Sequence, residues 1–168
     1  SQNITTAVSH FTLASELGYA PAQYSLGLIY ASGTDVKKDE AKATSFYKLA
    51  ANQGHASAQN NLALMYESGM GVQKNEKEAA RLYNLAANQG IAIAQYKLGK
   101  FYANGTAVPK NEAAAVQLYR LAAEQGFANA QYNLALLYES GTGVQKNESE
   151  AIRWYTLASQ QGHAQAQS

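Results

Sequence analysis

Ser45 and Lys48 stand at the Ser-x-x-Lys spacing, one helical turn apart, at which a lysine amine can activate a serine hydroxyl for acyl transfer. The Ser-Asp-Asn and Lys-Thr-Gly elements that complete such a centre are absent, so the pair reads as two side chains of a helix surface. Gly69-Met70-Gly71 and Gly141-Thr142-Gly143 resemble phosphate-cradling loops, yet no Gly-Lys-Ser or Gly-Lys-Thr follows and each lies between helical patterns rather than after a strand. They read as turns. His10, His55 and His163 are the only imidazoles, and the chain has no cysteine, which excludes disulfides, thiolate metal sites and cysteine nucleophiles. His55 and His163 lie three structural units apart, at about 10 Å per unit, too far to share a metal ion. No catalytic, cofactor-binding or metal-ligating residue is expected.

The elements that position these residues follow from one register. Gly18, Gly54, Gly90, Gly126 and Gly162 are 36 residues apart, and so are Leu26, Leu62, Leu98 and Leu134, and Tyr47, Tyr83, Tyr119 and Tyr155. Such a period describes a tandem array in which each unit buries its apolar face against its neighbours. Full repeats run 19 to 54, 55 to 90, 91 to 126 and 127 to 162. Residues 4 to 18 match a second half, and residues 163 to 168 begin a further first half. Stopping mid-repeat, with no initiator Met and no signal-peptide pattern at Ser1-Gln2-Asn3, leads to the expectation of a piece of a longer protein.

Within a unit the apolar residues keep helical spacing: Ala58, Leu62, Met65 and Tyr66, then Ala79, Leu82, Tyr83 and Ala86. The first helix is predicted from about Ala56 to Ser68, ended by Gly69-Met70-Gly71. Asn75 is the predicted N-cap of a second helix reaching about Asn88, and Asp39, Asn111 and Asn147 repeat that cap. Glu40, Glu76, Glu112 and Glu148 follow, where the helix dipole favours negative charge.

At 100° per residue, Ala22, Gln23, Leu26, Gly27 and Tyr30 and their equivalents form a packing face. Gly27, Ala63, Gly99 and Ala135 are small and permit close approach of the paired helix. The large apolar residues Ile29, Met65, Phe101 and Leu137 are assigned to stacking between repeats. The opposite face varies. It carries Tyr24 and Leu28; Asn60, Asn61 and Leu64; Tyr96, Lys97 and Lys100; and Tyr132, Asn133 and Leu136. Aromatic and aliphatic anchors beside amides and a lysine suit recognition of a protein segment. This exposed stripe is the candidate partner-binding surface.

With 13 basic and 12 acidic residues interspersed, net charge +1 argues against binding driven by phosphate neutralisation on nucleic acid. Lys38, Lys74, Lys110 and Lys146 form a periodic loop row, read as solvated charges. No stretch approaches the roughly 18 apolar residues that would span a bilayer, so direct membrane insertion is not expected.

Ala58-Gln59, Leu62-Ala63, Tyr66, Gly69-Met70-Gly71-Val72, Ala79, Tyr83, Ala86-Ala87 and Gly90 resemble the Sel1-like repeat family, a relative of tetratricopeptide arrays with a 36-residue unit. The resemblance covers essentially the whole chain. Asp35 and Ala107 depart from it, replacing the second glycine of the turn. It implies an all-α fold, a right-handed superhelical solenoid whose first helices line the concave side, and a non-enzymatic adaptor for other proteins. Bacterial members are often periplasmic or secreted and host-facing.

The resulting expectation is a protein-interaction scaffold binding a partner segment on the first helices. A spacer, or a segment associating with itself end to end, is the alternative. A β-lactam-directed enzyme built on Ser45 and Lys48 is the remote one.

Overall fold

In the computed structural model, residues 2–34 and 36–162 are described. Asp35, His163 and the start of a further repeat at 163–168 lie outside them. Among the described residues the only regular elements are helices: α1 (Gln2–Glu16), α2 (Ala20–Ser32), α3 (Glu40–Asn52), α4 (Ala56–Ser68), α5 (Glu76–Asn88), α6 (Ala92–Asn104), α7 (Glu112–Glu124), α8 (Ala128–Ser140) and α9 (Glu148–Gln160). The chain forms two compact units, residues 1–86 and 87–168. In the first, α2 packs on α1 and α3, and α3 on α4; in the second, α7 packs on α6 and α8, and α8 on α9.

Each boundary has a local cause. The side-chain oxygens of Asp39, Asn75, Asn111 and Asn147 accept the backbone N–H of Lys42, Glu78, Ala114 and Glu150 at 2.9–3.1 Å. Each satisfies one amide of the first turn, which has no partner within the helix. The loop closes onto the first helix, because Asn75 N–H also donates to the Tyr66 carbonyl at 2.9 Å. Gly71 then turns left-handed, with φ +66°, against the backbone carbonyl of Glu40, where a Cβ would collide. At Ala107, which replaces the equivalent glycine, the backbone takes the same conformation, φ +59°.

The core is small residues threaded by tyrosines. In the second unit Ala115, Val116, Tyr119, Ala122, Leu134, Ala135, Tyr138 and Trp154 pack as one cluster. Alanines let the helices approach; each buried Leu or Val contributes about 1.5–3 kcal/mol by leaving water. A glutamine ladder ties the hairpins together. Gln23, Gln59, Gln95 and Gln131 are buried, and their Nε2 atoms donate to the carbonyls of Ser15, Ala51, Ala87 and Ala123. Three of their Oε1 atoms accept from Gln53, Gln125 and Gln161 at 2.7–2.8 Å. Buried amides satisfied at both ends fix register as well as stability.

Candidate functional site

The face of the first helices is not the uniformly exposed stripe expected of it. Tyr24 on α2 is half-buried: its ring stacks on His55 at 4.7 Å between centroids and leans on Tyr47 at 6.0 Å. Tyr96 on α6 is held in the same way by Phe127 at 5.1 Å and Tyr119 at 5.9 Å, and Tyr132 on α8 meets Tyr155 at 5.6 Å. The contacts with His55 and Phe127 wedge one repeat against the next, whereas Tyr132 meets a ring of its own repeat. Helical periodicity does not mark His55 and Phe127 as their partners, though a common offset of 31 residues from Tyr24 and Tyr96 is a signal a pairwise comparison could find. His55 also caps α4, its Nδ1 accepting the Ala58 N–H at 3.2 Å.

Asn60, at the position Tyr24 holds in its repeat, is a clear correction. It is 5% exposed and its Oδ1 is buried without a hydrogen-bond donor, so it offers nothing to a partner. A side chain shorter than tyrosine stays against α4 instead of reaching outward, and its Nδ2 donates to Asn61 at 3.4 Å. Asn61 and Asn133 are half-buried, with their amides bonded to the hydroxyls of Tyr47 and Tyr119. They position framework tyrosines. Leu64 and Lys97 are likewise half-buried.

The tyrosine hydroxyls alternate between two partners. Tyr47 and Tyr119 lie over Gly27 and Gly99 and reach forward to Asn61 and Asn133. Where Ala63 and Ala135 replace those glycines, Tyr83 and Tyr155 instead donate to the carboxylates of Glu67 and Glu139, the latter at 2.6 Å. Burial raises all four tyrosines above the ordinary value, Tyr119 to about 12. The neighbouring carboxylate reinforces the rise at Tyr83 and Tyr155.

Three of the candidate side chains remain open, Leu28 in the first unit and Lys100 and Leu136 in the second. Leu28 is 42% exposed and Leu136 39%, whereas the other leucines of α2 and α8 are buried or half-buried. Lys100 is exposed, its ammonium 5.7 Å from the Tyr96 ring centroid.

The Ser45 and Lys48 side chains are both engaged locally. Ser45 Oγ donates back to the Ala41 carbonyl at 3.0 Å, and the Lys48 ammonium lies over the Tyr66 ring at 5.6 Å. Lys38, Lys74 and Lys110 are paired with Glu40, Glu76 and Glu112 at 2.8–3.2 Å, exposed bridges that contribute little. Among the described residues no cluster of three His, Asp or Glu could hold a metal ion, and no helix is long and apolar enough to cross a membrane.

Known proteins supply an independent comparison. The Sel1 repeat pattern matches residues 1–19, 20–55, 56–91, 92–127 and 128–163. No curated protein matches the chain significantly. Among solved structures, the protective antigen c5321 of uropathogenic Escherichia coli, with an SLR fold, is 34% identical with a TM-score of 0.90 over 95% of this chain and 34% of its own. A Sel1 repeat protein of Oxalobacter formigenes is 37% identical, TM-score 0.87, over 95% of this chain and 65% of its own. Helicobacter pylori cysteine rich protein B is 28% identical, TM-score 0.61, over 80% and 96%. The chain thus spans about a third and about two thirds of the first two relatives. Proteins of this kind are generally non-catalytic scaffolds for protein–protein interaction. With the pattern matched five times over residues 1–163, the chain belongs to the Sel1 repeat family.

Proposed function

We propose that the protein is a non-enzymatic adaptor whose first helices bind a segment of a partner protein. The observation that carries this reading is a large apolar side chain left in water on a first helix of each unit, Leu28 on α2 and Leu136 on α8, where the other leucines are buried or half-buried. Each sits one turn beyond a tyrosine already held by a neighbouring ring, Tyr24 or Tyr132. Anchors that are rigid before contact lose little entropy on binding.

The test uses a partner captured from the native source and then purified. Leu28→Asp or Leu136→Asp should weaken its affinity at least tenfold, with helicity unchanged. Leu121→Asp, on the exposed side of α7, is the control and should leave binding intact. If both first-helix variants bind like the parent, the surface is wrong.

End-to-end association is a second reading, favoured by α9. Ile152 is 66% exposed, whereas Thr44 and Val116 at the same repeat position are 2% exposed. Beside it Tyr155, Thr156, Ser159 and Gln160 line a groove of about 330 Å³. A stack face of this kind suits a further repeat, of the same chain or of a second copy. Sedimentation across a concentration series decides: a monomer at every concentration, indistinguishable from Ile152→Asp, removes the idea.

A further inference from the structure

The second unit says more about what its partner must be. Of the four first helices, α6 is the only one with basic residues, Lys97 and Lys100, and it has no acidic one. At the Lys100 position α2, α4 and α8 carry leucine: Leu28, Leu64 and Leu136. The substitution places a cation where the array otherwise presents an apolar side chain.

That cation is prepositioned and unneutralised. Lys100 rests over Tyr96, and Tyr96 is fixed between Tyr119 and Phe127. Unlike Lys38, Lys74 and Lys110, Lys100 has no carboxylate partner among the described residues. The acidic residue of α8, Glu139, accepts from the Tyr155 hydroxyl. An ammonium resting over a fixed aromatic face meets a carboxylate with less ordering cost than a free lysine.

Leu136, the exposed leucine of α8, stands one repeat further along at the same register position. Stacked repeats advance by about 10 Å. A peptide in the polyproline II conformation covers that distance in three residues, at about 3.1 Å each, and its three-residue turn brings positions i and i+3 back to the same face. We propose that the α6 and α8 face takes an acidic peptide segment, with an Asp or Glu paired to Lys100 and a large apolar side chain three positions away packed on Leu136. The inference rests on the docking reading above and adds the partner's chemistry to it.

The probe is a displayed library of random 12-residue peptides selected on the full chain, with enriched sequences synthesised for affinity measurement. Enrichment of Asp or Glu three positions from Leu, Ile, Met or Phe is expected. Lys100→Glu should weaken those peptides at least tenfold, Lys100→Met somewhat less, and added salt should weaken the parent complex but not the Lys100→Met complex. Both lysine variants change an exposed side chain, so retained helicity is the check that folding is intact. Enriched peptides without an acidic preference, or affinity unchanged in Lys100→Glu while Leu136→Asp abolishes binding, overturn the acidic partner and leave the docking face standing. Peptides indifferent to Lys100→Glu and Leu136→Asp alike overturn both.

Discussion

A Cβ placed on Gly99 would lie 2.8 Å from Cε1 of Tyr119, so the tyrosine ring occupies the space that only a glycine leaves open. That approach lets the Tyr119 hydroxyl reach Asn133 in the next repeat. The repeats with Ala63 and Ala135 show the alternative, a tyrosine bonded to the glutamate on its own hairpin. Gly99→Ala should therefore cost about 1–3 kcal/mol, the usual range for overpacking, because Ala103 stands where the receiving glutamate would be. Gly99→Ala with Ala103→Glu should recover much of that loss by recreating the second arrangement. Urea unfolding of the two single variants and the double gives the coupling energy. Strict additivity would show that the two arrangements are not alternatives.

Asn60 supplies a stabilising substitution. Its Oδ1 is buried without a donor, and such a group retains the desolvation cost of a lost hydrogen bond, about 1–3 kcal/mol. Asn60→Leu, of similar shape and wholly apolar, is expected to raise stability by about 1 kcal/mol. A fall in the urea midpoint would mean that the oxygen has a donor after all.

Helix boundaries were legible because caps and periods agree four times over. Asn75 and Gly69 bound α5 and α4 where the pattern places them, and Asp39, Asn111 and Asn147 repeat the geometry. Burial on the first-helix face was less legible. A helical wheel gives the direction of Tyr24 but not its depth, which depends on His55 arriving from the following hairpin. The same projection places Asn60 with the tyrosines, yet length decides the outcome: a tyrosine reaches the next repeat, an asparagine does not. Lys100 was recognisable because it is the polar exception at a position where the array otherwise repeats leucine, as at Leu28, Leu64 and Leu136.

Ala107 holds a left-handed backbone, φ +59°, that costs an L-residue about 1–2 kcal/mol. Ala107→Gly removes that strain but frees the unfolded chain by about 0.5–1 kcal/mol. The net expectation is a gain of roughly 0.5–1 kcal/mol, read as a higher urea midpoint with unchanged slope. The reverse change at the equivalent turn, Gly71→Ala, should destabilise by more, because its Cβ would meet the Glu40 backbone as well as the unfavourable φ. Equal and opposite effects would show that the backbone contact contributes nothing.

Tyrosine ionisation is expected to weaken the fold at alkaline pH. Tyr119 is pushed up to about 12, chiefly by burial, against an ordinary value of 10. In the folded state it keeps its proton between those limits while the unfolded chain loses it, so the unfolded state binds fewer protons and stability falls as pH rises. The contribution is complete below about pH 10 and gone above about pH 12. Tyr47, Tyr83 and Tyr155 are also shifted upward by burial, with Glu67 and Glu139 adding to the last two. Absorbance of tyrosinate should therefore rise in two phases, the later one coinciding with loss of helical signal. Tyr119→Phe should shallow the fall in unfolding free energy between about pH 10 and 12. A single titration near the ordinary value of 10 with the helices intact would refute the burial-driven shift.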